Sequence, residues 1–421
     1  MIFSPAQCKL IFLASLGGAL EFYDFVIFGF LAKVISQLFF PQYDSFAALL
    51  STFALFAVGY LIRPLGGILF GHFGDKYGRK RMFVLSVLLM GIPTLLIGLL
   101  PSYHQIGILA SLLLIALRLL QGLSVGGEVP GAIVYIAETA PAQHRGLACG
   151  FIFFGINMGL LLGSIISATL ANLLTEQQFF SWGWRIAFLI GGALCFISYF
   201  LRKQLTETPF FTEQLTRPNF PLKVILTQYK RLVVKGIAIT WLGAAAVSLF
   251  FLYLPTYFST QLHMPLKNAL VFNAINIAIF AINVVVMCYL SDKIGRKKVM
   301  LIGTLFFLFG SYPLFAMFQT GDPQLITAAG IIAALFISSI TGSFACMLAE
   351  LFPTSIRYSG FAVSYNIGLA IFGGLTPLIA TSLIKLTNYN SAPSYYLTFS
   401  AIVALLALLT LPETFKAKLS H

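Results

Sequence analysis

Residues 59–81, GYLIRPLGGILFGHFGDKYGRKR, carry an apolar, glycine-rich run without a break into a turn holding Asp75 and four bases, Lys76, Arg79, Lys80 and Arg81. That is the pattern of a membrane-spanning helix meeting the cytoplasm, where fixed positive charge collects. The turn recurs in the chain. Asp292-Lys-Ile-Gly-Arg296-Lys-Lys298 restates Asp75-Lys-Tyr-Gly-Arg79-Lys-Arg81 at an offset of 217 (292 − 75), and Glu350-x-x-Pro353-x-x-x-Arg357 restates Glu138-x-x-Pro141-x-x-x-Arg145 at 212 (350 − 138). Two motifs repeated in the same order at nearly the same spacing predict two homologous halves around a shared interior.

Composition sets the class. Of 421 residues, 59% are hydrophobic and only 9% charged, with a mean hydropathy of +0.92, too little polar surface to cover a soluble globule of this size. Period-two alternation is absent, so the spans are expected to be helices and the fold class all-α integral membrane. A net charge of +13 invites a nucleic-acid reading, but its distribution argues against one. Of 26 Lys and Arg, 20 fall in the terminal and even-numbered connections, three (Arg185, Lys267, Lys385) in the opposite connections and three (Lys33, Arg63, Arg118) inside helices. This asymmetry sets topology and predicts both termini in the cytoplasm. The five cysteines lie far apart, with no Cys-x-x-Cys spacing and no clustered His, so no disulfide, metal or cofactor is expected.

Twelve apolar segments of about 18 residues or more can be marked between residues 9 and 411, each long enough to span. The first carries Glu21 and Asp24 in its middle and no small-residue cleavage site, so it reads as a retained helix. The second covers 47–74. The longest polar stretch divides the chain into an N-terminal half (1–202), a linker (203–230) and a C-terminal half (231–421). Gly155-x-x-x-Gly159-x-x-x-Gly163 in the fifth segment predicts a face for close helix approach. Trp182, Trp184, Tyr103 and Tyr395 are expected at the outer membrane surface.

Ionisable groups at mid-helix are costly in a bilayer and are functional candidates by default. They are Glu21, Asp24 and Lys33 in the first segment, Arg63 in the second, and Arg118 and Glu128 in the fourth, all in the first half. Glu21 and Asp24, three residues apart, share a helix face. Arg118, Gln121 and Glu128 fall within an arc of about 80°, with Arg118 and Glu128 about 15 Å apart along the axis. A fixed structural ion pair is the plain alternative to a proton switch. The second half offers neutral hydrogen-bonding groups, among them Asn273, Asn276, Tyr365 and Asn366.

At these residues the chain becomes specific. Gly71-x-x-x-Asp75-x-x-Gly78-Arg79-Lys80 resembles the loop between helices 2 and 3 of the major facilitator superfamily. Glu21-Phe-Tyr-Asp24-Phe, Arg63-Pro-Leu-Gly-Gly, Arg118-Leu-Leu-Gln121-Gly-x-x-x-Gly-Gly-Glu128, Trp182-Gly-Trp-Arg185 and Glu207-Thr-Pro resemble its metabolite:proton symporters, the group of α-ketoglutarate, shikimate, citrate and proline/betaine permeases. The resemblance implies twelve helices in two six-helix halves and, by analogy with proton-coupled sugar porters, a coupling pair at Asp24 and Arg118. The osmosensing betaine permeases carry a C-terminal coiled-coil extension that this sequence lacks, which counts against that subgroup.

The expected function is proton-coupled import of a small organic acid, a mono- to tricarboxylate or a carboxylate metal chelator, by alternating access. Three interior cations against three acids turn net positive on proton loading, which favours an anion, and Arg63 offers a bidentate fork for a carboxylate. Proton coupling is assigned to Asp24, Arg118, Glu21 and Glu128. Substrate binding is assigned to Arg63, Lys33, Gln121, Asn273, Asn276, Tyr365 and Asn366, and a cytoplasmic gate to Asp75, Arg79, Glu138, Arg145, Asp292, Arg296, Glu350 and Arg357. The alternatives are a zwitterionic osmolyte such as proline or betaine as substrate, proton-driven efflux, and a sensor that moves nothing. The motifs of a metalloprotease, a serine hydrolase or an intramembrane protease are missing, so an enzyme is not expected. The implied partners are a small-molecule substrate, protons and the lipid bilayer, without nucleic acid; the implied setting is a monomer in a bacterial inner membrane.

Overall fold

The computed structural model describes residues 2–40, 58–204, 207 and 221–415, and among them there are helices and turns but no strands. Among the described residues, eleven helices are long and apolar enough to cross a membrane. They are α1 (Pro5–Phe30), α3 (Arg79–Leu99), α4 (Ile108–Thr139), α5 (Arg145–Leu173), α6 (Trp184–Lys203), α7 (Lys230–Val247, continued to Gln261), α8 (Leu266–Ile294), α9 (Arg296–Gln319), α10 (Pro323–Leu351), α11 (Arg357–Ile367, continued to Thr387) and α12 (Pro393–Thr410). The remaining segment appears as α2 (Arg63–Tyr77), preceded by a helical turn at 58–61. The start of the expected 47–74 span, residues 47–57, lies outside the described residues, as does most of the linker, including Arg217 and Pro218.

Local sequence explains where the helices begin. Ser4 and Gln7 form a capping box at α1, each side chain bonding the other's backbone N–H, and Asp322 caps α10 one residue before Pro323. Both satisfy N–H groups that have no partner inside the helix. The two repeated turns are built alike. Gly78 (φ 115°, ψ 143°) separates α2 from α3, and Gly295 (φ 114°, ψ 147°) separates α8 from α9, a conformation that a Cβ disfavours.

The glycine face of α5 packs as expected. A Cβ on Gly155 would lie 2.3 Å from the carbonyl oxygen of Ser15, and one on Gly159 1.8 Å from that of Ala19, so α1 and α5 meet backbone to backbone. α2 is likewise wedged between α4 and α11, and α5 packs against α8. Wide turns at Ser248–Tyr253 and Gly368–Gly373 interrupt α7 and α11. The expectation for Trp184 is corrected. It is fully buried, edge-on to Phe39 and Phe188, because the end of the first segment (Ala32–Phe39) folds over it; Trp182 is exposed.

Candidate functional site

α1 sets the interior. Asp24 is buried and accepts a hydrogen bond from Thr94 Oγ1 at 2.5 Å and a longer one from the Cys195 thiol at 3.7 Å. Thr94 in turn accepts from Gln121 Nε2 at 2.7 Å, and Gln121 Oε1 accepts from Arg118 Nη1 at 3.0 Å. A chain of three hydrogen bonds thus joins Asp24 to Arg118, whose guanidinium lies 4.0 Å over the Phe28 ring.

One turn earlier, Glu21 is 2% exposed, and neither carboxylate oxygen has a hydrogen-bond partner among the described residues. Its electrostatic neighbours are Glu128, Arg63, Arg202 and Asp24. The Arg63 guanidinium is buried and sits 4.2 Å over the Tyr60 ring. Tyr365, layered with Phe344 and Phe361, shares Glu21, Arg63 and Tyr60 as neighbours. One acid from α1, one guanidinium from α2, Tyr60 just before α2 and Tyr365 from α11 therefore share one electrostatic neighbourhood.

Arg118 and Glu128, expected on one arc of the fourth segment, are engaged by different groups. Glu128 is held by Arg202 Nη2 and by Ser86 Oγ, because Arg202, counted above with the connections, turns inward from the last turn of α6 and is fully buried. Arg202 also donates to the Phe83 carbonyl at 3.0 Å and lies 3.8 Å over that ring. The neutral groups of the second half are mostly engaged elsewhere. Asn273 donates to Phe251 O, Asn276 to Phe272 O on its own helix, and Asn366 to Gly126 O, tying α11 to α4. The side chain of Lys33 lies outside the described residues.

At the charged end of the bundle all eight expected residues come together, in a two-fold pattern. Asp75 accepts from the N–H groups of Tyr358 (3.3 Å) and Ser359 (2.9 Å) and from Ser359 Oγ (2.7 Å), capping α11. Asp292 accepts from the N–H groups of Gly146 (2.9 Å) and Leu147 (2.7 Å), capping α5. Each aspartate thus stabilises the N-terminal end of a helix from the other repeat. Each glutamate sits between two arginines, Glu138 between Arg79 (3.0 Å) and Arg357 (2.8 Å), and Glu350 between Arg296 (3.3 Å) and Arg145 (4.0 Å). Burial pushes the Asp75 carboxyl up to about 6, against the pull of Arg79 and Ser359.

Two more carboxylates complete the pattern. Glu207 accepts from the N–H groups of Arg79 and Lys80 (3.1 and 3.2 Å), and Glu413 from those of Arg296 and Lys297 (2.9 and 3.2 Å), capping α3 and α9. The sequence signal for Glu413 is that Glu413-Thr414 restates Glu207-Thr208. Thr94, Cys195 and Arg202 carried no sequence signal of their own.

Comparison with known proteins agrees with this architecture. Residues 14–287 match the Major Facilitator Superfamily, and residues 213–421 match the Sugar (and other) transporter family. The chain is 36% identical over 419 residues to the glycine betaine/proline/ectoine/pipecolic acid transporter OusA of Dickeya dadantii (strain 3937), covering 96% of this chain and 83% of that protein. Identity and coverage are the same for the proline/betaine transporter of Escherichia coli (strain K12). The solved structure of the proton:xylose symporter XylE bound to 6-bromo-6-deoxy-D-glucose superposes with a TM-score of 0.82 at 20% identity, covering 98% of this chain and 97% of that one. A multi-pass bundle with a charged interior and an ionic lock at one end is the architecture of a membrane transporter. The chain belongs to the major facilitator superfamily.

Proposed function

We propose that this protein is a proton-coupled symporter that imports a zwitterionic osmolyte such as proline or a betaine. The observation that carries the reading is the chain's 36% identity, over nearly its whole length, to relatives named as betaine and proline transporters. That likeness displaces the organic acid favoured by the charge count. The interior supplies the physical reason: Glu21 and the Arg63 guanidinium, which sits over the Tyr60 ring, put a charge of each sign in one electrostatic neighbourhood. A zwitterion answers both, its carboxylate taking the guanidinium fork and its ammonium the acid and the rings of Tyr60 and Tyr365.

Transport proceeds by alternating access between an N-terminal half (1–202) and a C-terminal half (231–421) joined by the 203–230 linker, in a monomer of the bacterial inner membrane with both termini cytoplasmic. The charged end is then the cytoplasmic gate, closed in this structure, and Asp24 with Gln121 and Arg118 couples the proton. Reconstituted protein should take up labelled proline or betaine against its gradient when an inward proton gradient is imposed. Uptake of citrate or α-ketoglutarate, with none of either zwitterion, contradicts the substrate assignment.

A further inference from the structure

We infer that Glu21 carries a transported proton and hands it to Glu128 across a cavity that α1, α3, α4 and α6 enclose, with Arg202 as the positioning residue that holds Glu128 at the cavity wall. The inference rests on the proton-symport reading above and extends it to a second carboxylate, distinct from Asp24.

Three observations meet here. Glu21 is buried with both oxygens unpartnered, and an ionised carboxylate in that position has lost its hydration without replacement. A proton or a cationic ligand group restores the balance. Glu21 and Glu128 line one small cavity with Gly17, Met90 and Cys195, and a single water entering it would stand between the two carboxylates. Cys195 also donates to Asp24, so the cavity adjoins the Asp24 chain. The step is a simple transfer: the Glu21 carboxyl gives its proton to the bridging water, which gives one of its own to Glu128, with no change of oxidation state. Substrate ammonium arriving at Glu21 is the event that displaces the proton.

Arg202 fixes the acceptor. It bonds Glu128 while Ser86 holds the other oxygen, and it fits because α1 has no side chain at Gly17, where a Cβ would lie 1.1 Å from Arg202 Nη2. The titratable and charged groups facing Glu21 are Tyr60 and, from α2, Arg63, with Glu128 from α4, Arg202 from α6, Tyr365 from α11 and Asp24 from its own helix.

The test uses the full chain in proteoliposomes with proline or betaine, a pH-sensitive dye inside, and counterflow measured alongside. Glu21→Gln is expected to raise the substrate concentration that half-saturates counterflow, and the substrate it still takes up is expected to enter without accompanying protons. Arg202→Lys, which keeps the charge but loses the fork, is expected to shift the pH profile of counterflow. A Glu21→Gln protein that moves protons with substrate at the wild-type ratio overturns the inference. Should that variant fail to fold, Arg202→Lys decides, and an unshifted pH profile overturns it. Wild-type protein that moves substrate without protons is a separate result, and it overturns the symport reading itself.

Discussion

Asp24 is the residue on which the coupling argument rests, because Thr94 and Gln121 connect it to the Arg118 guanidinium without direct contact. Replacing it with Asn keeps the size of the side chain but removes the exchangeable charge. Concentrative uptake driven by a pH gradient should disappear while substrate exchange persists, and full accumulation by the variant removes Asp24 from the mechanism. Asp75 makes a pH prediction. Burial against α11 pushes its carboxyl up to about 6, above the usual carboxylate range. Because the packed value is the higher one, its contribution to the packing against α11 is largest at acid pH and is lost as pH rises through about 6. Acidifying the cytoplasmic face toward pH 5 should therefore slow gate opening. Asp75→Asn should abolish that dependence and lower the maximal rate more than the apparent affinity, both measurable in inverted vesicles.

Among the helices, the seam between α1 and α5 is the most tightly specified. Gly159→Ala forces a methyl into the Ala19 carbonyl, and overpacking of this kind costs about 1–3 kcal/mol. A thermal-shift assay in detergent should record a lower melting temperature; an unchanged one means that the two helices are free to separate. This seam was legible in the sequence because three glycines at four-residue intervals can occupy only one face. Arg202 was not legible. It closes a run apolar enough to be lipid-facing on every side, so composition left the rotation of α6 open, and only packing shows that this residue points inward to Glu128. The asparagines of α8 misled for a related reason: polar side chains in a span meet helix carbonyls as readily as a solute, and Asn276 bonds its own helix.

The whole molecule is held at its charged end by one lock built twice. All eight of its expected residues were readable because the repeat doubled the signal, whereas Glu413 acquires meaning only where it caps α9. The same arrangement places Cys149 on α5 beside Cys346 on α10. Oxidation by a copper–phenanthroline complex should join these thiols and stop counterflow until a reductant is added; continued counterflow by the cross-linked protein contradicts the assignment of this contact to a closed gate. On the proposed mechanism, opening this end uncovers the first N–H groups of α5 and α11 together with Asp292 and Asp75, which satisfy one another here. Water must then take each vacated place. The movement is therefore also a hydration reaction, and any solute too large to enter the bundle draws the protein toward its closed form by lowering the activity of water, without touching it.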